Sequence, residues 1–185
     1  MQKIIAINHE TAEGKAQELL DGVKAKIGFA PNMMKTMAQS PKVLEAYLNL
    51  SGTLGTTLNA KLREEIALTV AEINGCGYCA AAHSTIGKMS GLDETAIINA
   101  RRASSSDVKT DAALKFAAAL VVSRGKVSDD DLNAVRSAGY TDGEVSEIVA
   151  HVALNVFTNY FNETAGTEVD FPAIEFPLAS RAASA

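Results

Sequence analysis

The sequence predicts an all-α protein: a helical bundle over residues 1–165, followed by an extended C-terminal arm from residue 166 to residue 185. Three observations predict it. Apolar residues recur at the three- and four-residue spacing of a single helix face through most of the chain. Ser, Thr, Asp or Asn precedes many of these stretches and Gly often follows them, as helix caps and stops require. No window before residue 166 alternates convincingly with the period of two that a half-buried strand needs.

The elements follow in order. Thr11 to Ile27 carries Ala16, Leu19, Leu20, Val23 and Ile27 on one side, and Gly28 suits the stop. Pro31 suits the next start, and Asn32 to Gln39 is short and rich in methionine. Ser40-Pro41 sets a cap and first turn for a helix with Val43, Leu44, Tyr47, Leu48 and Leu50, which loosens around Gly52 and Gly55. Asn59 caps Ala60 to Asn74, and Gly75 ends it. A further helix runs from about Cys76 to Ser90, closed by Gly91, and Asp93 caps a segment through Ala103. Ser104 to Asp107 is a linker between two helix-rich halves. Thr110 starts the apolar run Ala112 to Ser123, and Ser128 caps Asp129 to Ser137 with three acids in its first turn. Thr141-Asp-Gly-Glu144 is a capping box for the long helix from Glu144 to about Glu163. Beyond Gly166, Pro172, Pro177 and alternating Phe171, Ile174 and Phe176 predict extended chain, with fraying from Arg181 to Ala185. An apolar arm has little obvious purpose on a lone subunit, so it is expected along a neighbouring protomer.

Composition narrows the function. A net charge of −5 without a basic block argues against nucleic acid. No uncharged stretch exceeds 15 residues, and Ile148 to Asn162, which has that length, includes one His and three Asn, which is short for a membrane span. The N-terminus lacks an apolar region long enough for a secretory signal, so a cytoplasmic location is expected. Two cysteines cannot form a disulfide scaffold, and their closeness in sequence calls for another explanation.

That explanation lies in Arg63-Glu64-Glu65-Ile66 through Asn74-Gly75-Cys76-Gly77-Tyr78-Cys79 and His83. Cys76 and Cys79 sit at i and i+3 on a helix start, where free N–H groups and the helix dipole favour a thiolate. His83 lies one turn beyond Cys79, in range of its proton. A chain that folds back at Gly75 brings Glu64 across toward His83, although Glu65 and Glu72 compete for that place and are expected to be solvated. These are the parts of a proton relay that feeds a thiolate, with a second thiol placed to form a disulfide. Half a zinc site and two inert buried thiols are the plainer readings; no second CxxC supports the first. Tyr78 is a possible secondary residue. Met33 and Met37 are candidate substrate-lining residues, although methionine at helical spacing is more often core. His151, Asn155, Asn159 and Asn162 form a polar stripe on an apolar helix. Interface or structural satisfaction is favoured for the stripe, with His151 and Asn155 kept as substrate-binding candidates.

Arg63-Glu64, an apolar helix, and Asn-Gly-Cys-x-Tyr-Cys-x-x-x-His together resemble the AhpD-like alkylhydroperoxidases of the carboxymuconolactone decarboxylase superfamily. Ile27-Gly-Phe-Ala-Pro-Asn-Met-Met, Ser40-Pro, Asn159-Tyr-Phe-Asn and Asp170-Phe-Pro are similar to its uncharacterised peroxidase-related branch. The core of the likeness spans about residues 60–101. The resemblance implies an AhpD-like bundle, a homo-oligomer (dimer, trimer or hexamer), and an antioxidant peroxidase acting on organic hydroperoxides or hydrogen peroxide. It selects Glu64, makes Cys79 the attacking thiol and Cys76 the resolving one, and gives His83 the proton traffic. It points to a lipoyl-type or thioredoxin-type reductant, with no cofactor and no metal. In the best-known member a histidine directly precedes the second cysteine; here Tyr78 stands there. The alternatives are a redox-sensing or disulfide-exchange protein, a metal-binding module on Cys76, Cys79 and His83, and a decarboxylase, whose branch lacks the CxxC.

Overall fold

Nine α-helices and a short 3-10 turn, with no strand among the described residues, build the chain in a computed structural model that describes residues 2–178. The helices are α1 (Gly14–Ile27), α2 (Asn32–Met37), α3 (Pro41–Leu54), α4 (Ala60–Ile73), α5 (Gly77–Met89), α6 (Glu94–Arg101), α7 (Val108–Val122), α8 (Asp129–Ser137) and α9 (Asp142–Ala165). The all-α expectation therefore holds. The expected fraying from Arg181 to Ala185 lies outside the described residues.

Local chemistry accounts for the boundaries. The side chains of Asn59, Asp93, Asp107, Ser128 and Thr141 each accept a backbone N–H at the start of their helix, and α8 and α9 both close full capping boxes. Three starts differ from expectation. Asn8 caps a 3-10 turn at His9–Thr11, so α1 begins only at Gly14. Asp107 accepts from the Thr110 N–H and thereby starts α7 before Thr110 itself. Ser40 makes no side-chain cap bond, which leaves the fixed φ of Pro41 to begin α3.

Helix α4 is the hub and packs against α5, α6, α7 and α9. One apolar cluster joins Leu62, Ile66 and Leu68 of α4 to Leu114, Phe116, Val135 and Ile148; a second joins Leu20, Met37 and Leu44 to Ala71, Cys76, Cys79 and Ala80. The two cores thus divide across the faces of α4 rather than at the Ser104 linker. Met33 and Met37, 8% and 1% exposed, belong to the second core. Their plainer reading, as packing residues, describes their surroundings.

The arm has a purpose on its own subunit, which corrects the argument that sent it to a neighbour. Tyr78 Oη donates to Asp170 Oδ1 at 2.9 Å, and Asn32 N donates to Asp170 Oδ2 at 2.7 Å. Phe171 meets the Tyr78 ring edge-on at 5.6 Å. Further along, Arg101 Nη2 donates to Glu175 O, while Glu72 Oε1 accepts from Leu178 N at 2.7 Å. Arg101 Nε also donates to Glu72 Oε2 at 2.8 Å, and the guanidinium stacks on Phe176. Glu72 is therefore a half-buried anchor for the arm rather than a solvated end-of-helix charge.

Removing one member of such a pair leaves the other buried and unpaired. Arg101→Met is expected to lower the urea unfolding free energy by about 3 kcal/mol and to expose the arm to limited proteolysis. A variant with wild-type stability and an uncut arm would show that the pair does not anchor it.

Candidate functional site

The helix pair α4–α5 builds the site. Gly75 between them takes φ 71°, a left-handed turn that suits glycine, and Cys76 N closes the reversal on Ala71 O at 2.9 Å. Cys76 is then the N-cap of α5, its Sγ accepting from Cys79 N at 3.3 Å. Near the other end Gly87 lets the helices close up, since a Cβ there would lie 3.1 Å from Leu92 Cδ1 and 3.8 Å from Glu64 Cβ.

This geometry brings the expected residues together. Cys76 donates its S–H to Cys79 Sγ across 2.7 Å, and both thiols are free and buried. His83 Nδ1 and Glu64 Oε2 are 2.7 Å apart, with side chains 23% and 15% exposed. Donation from Cys76, above all, holds the Cys79 thiol down at about 7. Burial opposes it, while the His83 charge and the Asn162 and Asn159 amides assist. Cys76, which gives its proton to that bond and is itself buried, is pushed well up. At His83 burial favours the neutral ring, but Glu64, through its charge and hydrogen bond, outweighs it with help from Cys79, and the imidazole titrates above its usual value. The site thus separates a readily ionised thiol from a proton-holding one.

Other expected residues lie elsewhere. Tyr78, 5% exposed, accepts from Met33 N at 3.2 Å and donates to Asp170, so it ties α2 and the arm to the start of α5. His151 Nε2 pairs with Thr57 Oγ1 at 2.9 Å, and Asn155 Nδ2 donates to His151 O, so their hydrogen bonds serve packing rather than the dithiol. Glu65 is not solvated: it is 7% exposed, and burial, reinforced by Asp107 and opposed by Lys61, pushes its carboxyl up to about 7. Among the described residues no three His, Cys, Asp or Glu side chains converge as a metal site.

The sequence reading missed two contributors. Asn162 Nδ2 donates to Cys79 Sγ at 3.2 Å and to Met33 Sδ at 3.3 Å. Tyr47 lies in the same electrostatic neighbourhood: burial pushes its phenol up to about 12, Ser51 opposes this, and the charges of Cys79 and Glu64 add to it. The α9 stripe, His151, Asn155 and Asn159 at every fourth residue with Asn162 close behind, carried no sign of which helix Asn162 faces.

Residues 41–122 match the carboxymuconolactone decarboxylase family. No functionally curated protein matches the chain. Among solved structures the chain is similar to the alkylhydroperoxidase AhpD core, an uncharacterized peroxidase-related protein from Ralstonia eutropha JMP134. That likeness has 22% identity and a TM-score of 0.82 over 91% of this chain and 92% of the other. An uncharacterized peroxidase-related protein from Silicibacter sp. TM1040 is similar at 24% identity and TM-score 0.77, over 90% and 92%. The debrominase Bmp8, as a variant in complex with 2,3,4-tribromopyrrole, is similar at 21% identity and TM-score 0.78, over 92% of each chain. At these identities the likeness is one of fold. Among the described residues no helix is long and apolar enough to cross a membrane.

Because donation from Cys76 stabilises the Cys79 anion, its loss must raise the pH at which that thiol ionises. Iodoacetamide labelling of Cys79 is expected to rise with a midpoint near 7 in the wild type. In Cys76→Ala the midpoint moves up, slowing labelling at neutral pH by roughly tenfold. An unmoved midpoint would contradict the assignment. In Glu64→Gln burial acts on His83 without the carboxylate, and NMR titration should find the imidazole at a lower pKa than in the wild type. An equal or higher value would show that Glu64 does not hold its proton.

Proposed function

We propose that the chain is an AhpD-like member of the carboxymuconolactone decarboxylase superfamily and, on that footing, a thiol-dependent peroxidase; the family match over residues 41–122 and the shared fold support the reading. The observation that carries this reading is the 2.7 Å contact between Cys76 Sγ and Cys79 Sγ, with the Glu64–His83 pair beside it.

Cys79 is the nucleophile. Its thiolate attacks the terminal oxygen of a hydroperoxide, the O–O bond breaks, and sulfur gives up two electrons to become a sulfenic acid. His83, whose protonated form Glu64 favours, supplies the proton that the departing alkoxide needs. Cys76 then displaces water from the sulfenic acid, with its own proton leaving in that water, and a Cys76–Cys79 disulfide forms. A lipoyl-type or thioredoxin-type dithiol returns both sulfurs to thiols by exchange. Such a cycle suits a reducing compartment such as the cytoplasm, and the working form is a homo-oligomer. The substrate is an organic hydroperoxide or hydrogen peroxide.

A second reading, reductive debromination, is favoured by the fold likeness to Bmp8 and would draw on the same two thiols. Stopped-flow oxidation by cumene hydroperoxide, hydrogen peroxide and a bromopyrrole separates them. The fastest oxidation is expected from a peroxide; oxidation by the bromopyrrole alone would replace the first reading with the second.

Reduced wild-type protein is expected to consume one equivalent of peroxide and Cys79→Ser none. Cys76→Ser should accumulate a sulfenic acid that dimedone traps. Equal consumption by wild type and Cys79→Ser would end the proposal, and a missing adduct in Cys76→Ser would exchange the roles of the thiols. Sustained turnover with an added dithiol supports an enzyme; a single oxidation that added dithiol cannot reset would indicate a sensor.

A further inference from the structure

Helix α9 brings to the dithiol a buried amide that the thiol–imidazole relay leaves unused. Asn162 is 2% exposed, and its Nδ2 is directed at two sulfur atoms, Cys79 Sγ at 3.2 Å and Met33 Sδ at 3.3 Å. A thiolate and a thioether are both acceptors, so the nitrogen end of the amide faces them and the oxygen end points away. That oxygen, Oδ1, is buried and has no hydrogen-bond partner among the described residues. Leaving a buried amide oxygen unpaired is costly, and an incoming donor would satisfy it. Both ends of the amide are bonded to one carbon, so the unpaired oxygen lies within the span of a single amide group from the nitrogen that meets the attacking sulfur.

Asn159, one turn earlier, is fully buried. Its Oδ1 accepts from Asn74 Nδ2 at 3.0 Å, which fixes the amide, while its Nδ2 makes no full hydrogen bond. The dipole of that Nδ2 nevertheless favours the anion on Cys79. The pair therefore offers one unpaired acceptor and one unpaired donor next to the reactive sulfur.

We propose that Asn162 is a catalytic residue of hydroperoxide reduction: its Nδ2–H grips the Cys79 thiolate while its Oδ1 accepts from the terminal O–H of the hydroperoxide. The proposal rests on the peroxidase reading and deepens it, because it assigns the substrate class as peroxides that carry a terminal hydroxyl. Asn159 Nδ2 is the donor placed to meet the departing oxygen. In the step itself a sulfur lone pair forms the S–O bond and the O–O bond breaks. The alkoxide takes its proton from His83, and the two electrons lost by sulfur reside on the released alcohol. The hydroxyl hydrogen stays on the transferred oxygen throughout. The sulfenic acid that results presents S and O–H to the same N–H and C=O, so one amide serves reactant and product.

The test compares wild type, Asn162→Leu and Asn162→Asp in stopped-flow oxidation by cumene hydroperoxide and by dithiobis(nitrobenzoate). The second probe consumes the same thiolate but has no hydroxyl hydrogen. Rates are read at a pH above the thiol midpoint of every variant, so that ionisation does not enter. In Asn162→Leu the hydroperoxide rate is expected to fall roughly tenfold to a hundredfold, and the disulfide-reagent rate by less than roughly threefold. Asn162→Asp keeps an acceptor and should lose less of the hydroperoxide rate than Asn162→Leu. Equal losses with both probes would reduce Asn162 to a structural residue and overturn the proposal, as would a hydroperoxide rate equal to the wild type's. If Asn162→Leu does not fold, Asn162→Asp decides: a thiol midpoint above the wild type's is expected, and an unmoved one overturns the proposal. Wild-type protein that reacts with the disulfide reagent but not with hydroperoxide would instead bring down the peroxidase reading, and the oxygen-side role of Asn162 with it.

Discussion

The hydrogen bond from the Cys76 thiol to the Cys79 sulfur ties the backbone geometry to the chemistry. It exists because Cys76 is the N-cap and Cys79 the third residue of α5, a spacing that turns both side chains to one side of the first turn. The same bond makes the two thiols unlike. One holds a proton that it does not readily give up, and the other is the one that ionises, at about 7. The polar neighbours of Cys79 reinforce that asymmetry. The imidazole and the α9 amides favour the anion, against burial in an apolar core that on its own would disfavour it.

That burial gives the arm its meaning. Tyr78 lies between the cysteines in sequence, yet its hydroxyl bridges Met33 N and Asp170 instead of serving a sulfur. Together with the Glu72–Arg101 anchor it lays the arm beside the start of α5. Tyr78 is thereby given a structural task. The titratable pair at the site is His83 and Glu64, 2.7 Å apart.

How far the sequence was legible depends on the range of the interaction. The caps of α4, α8 and α9, the stop at Gly75 and the Cys76–Cys79–His83 spacing are local, and each stands where the residues place it. Glu64 was readable only as one of three carboxylates, because its partner lies across a helix crossing whose closeness depends on Gly87. Glu65 and Glu72 were misjudged for the same reason: their burial is set by distant elements, the α7 start and the arm. The polar stripe of α9 was visible as a stripe, but a helical period does not say that His151 meets the α3–α4 loop while Asn162 meets a cysteine. Family likeness supplied the roles of the thiols; the geometry supplies a physical reason for their asymmetry.

The most direct measurement is mass mapping of reduced wild-type protein treated with one equivalent of hydroperoxide under denaturing quench. A mass lower by two hydrogens is expected, with the loss confined to a peptide in which Cys76 and Cys79 are joined. Protein that keeps both thiols, or that gains oxygen on Cys79 without ever linking it to Cys76, would contradict it.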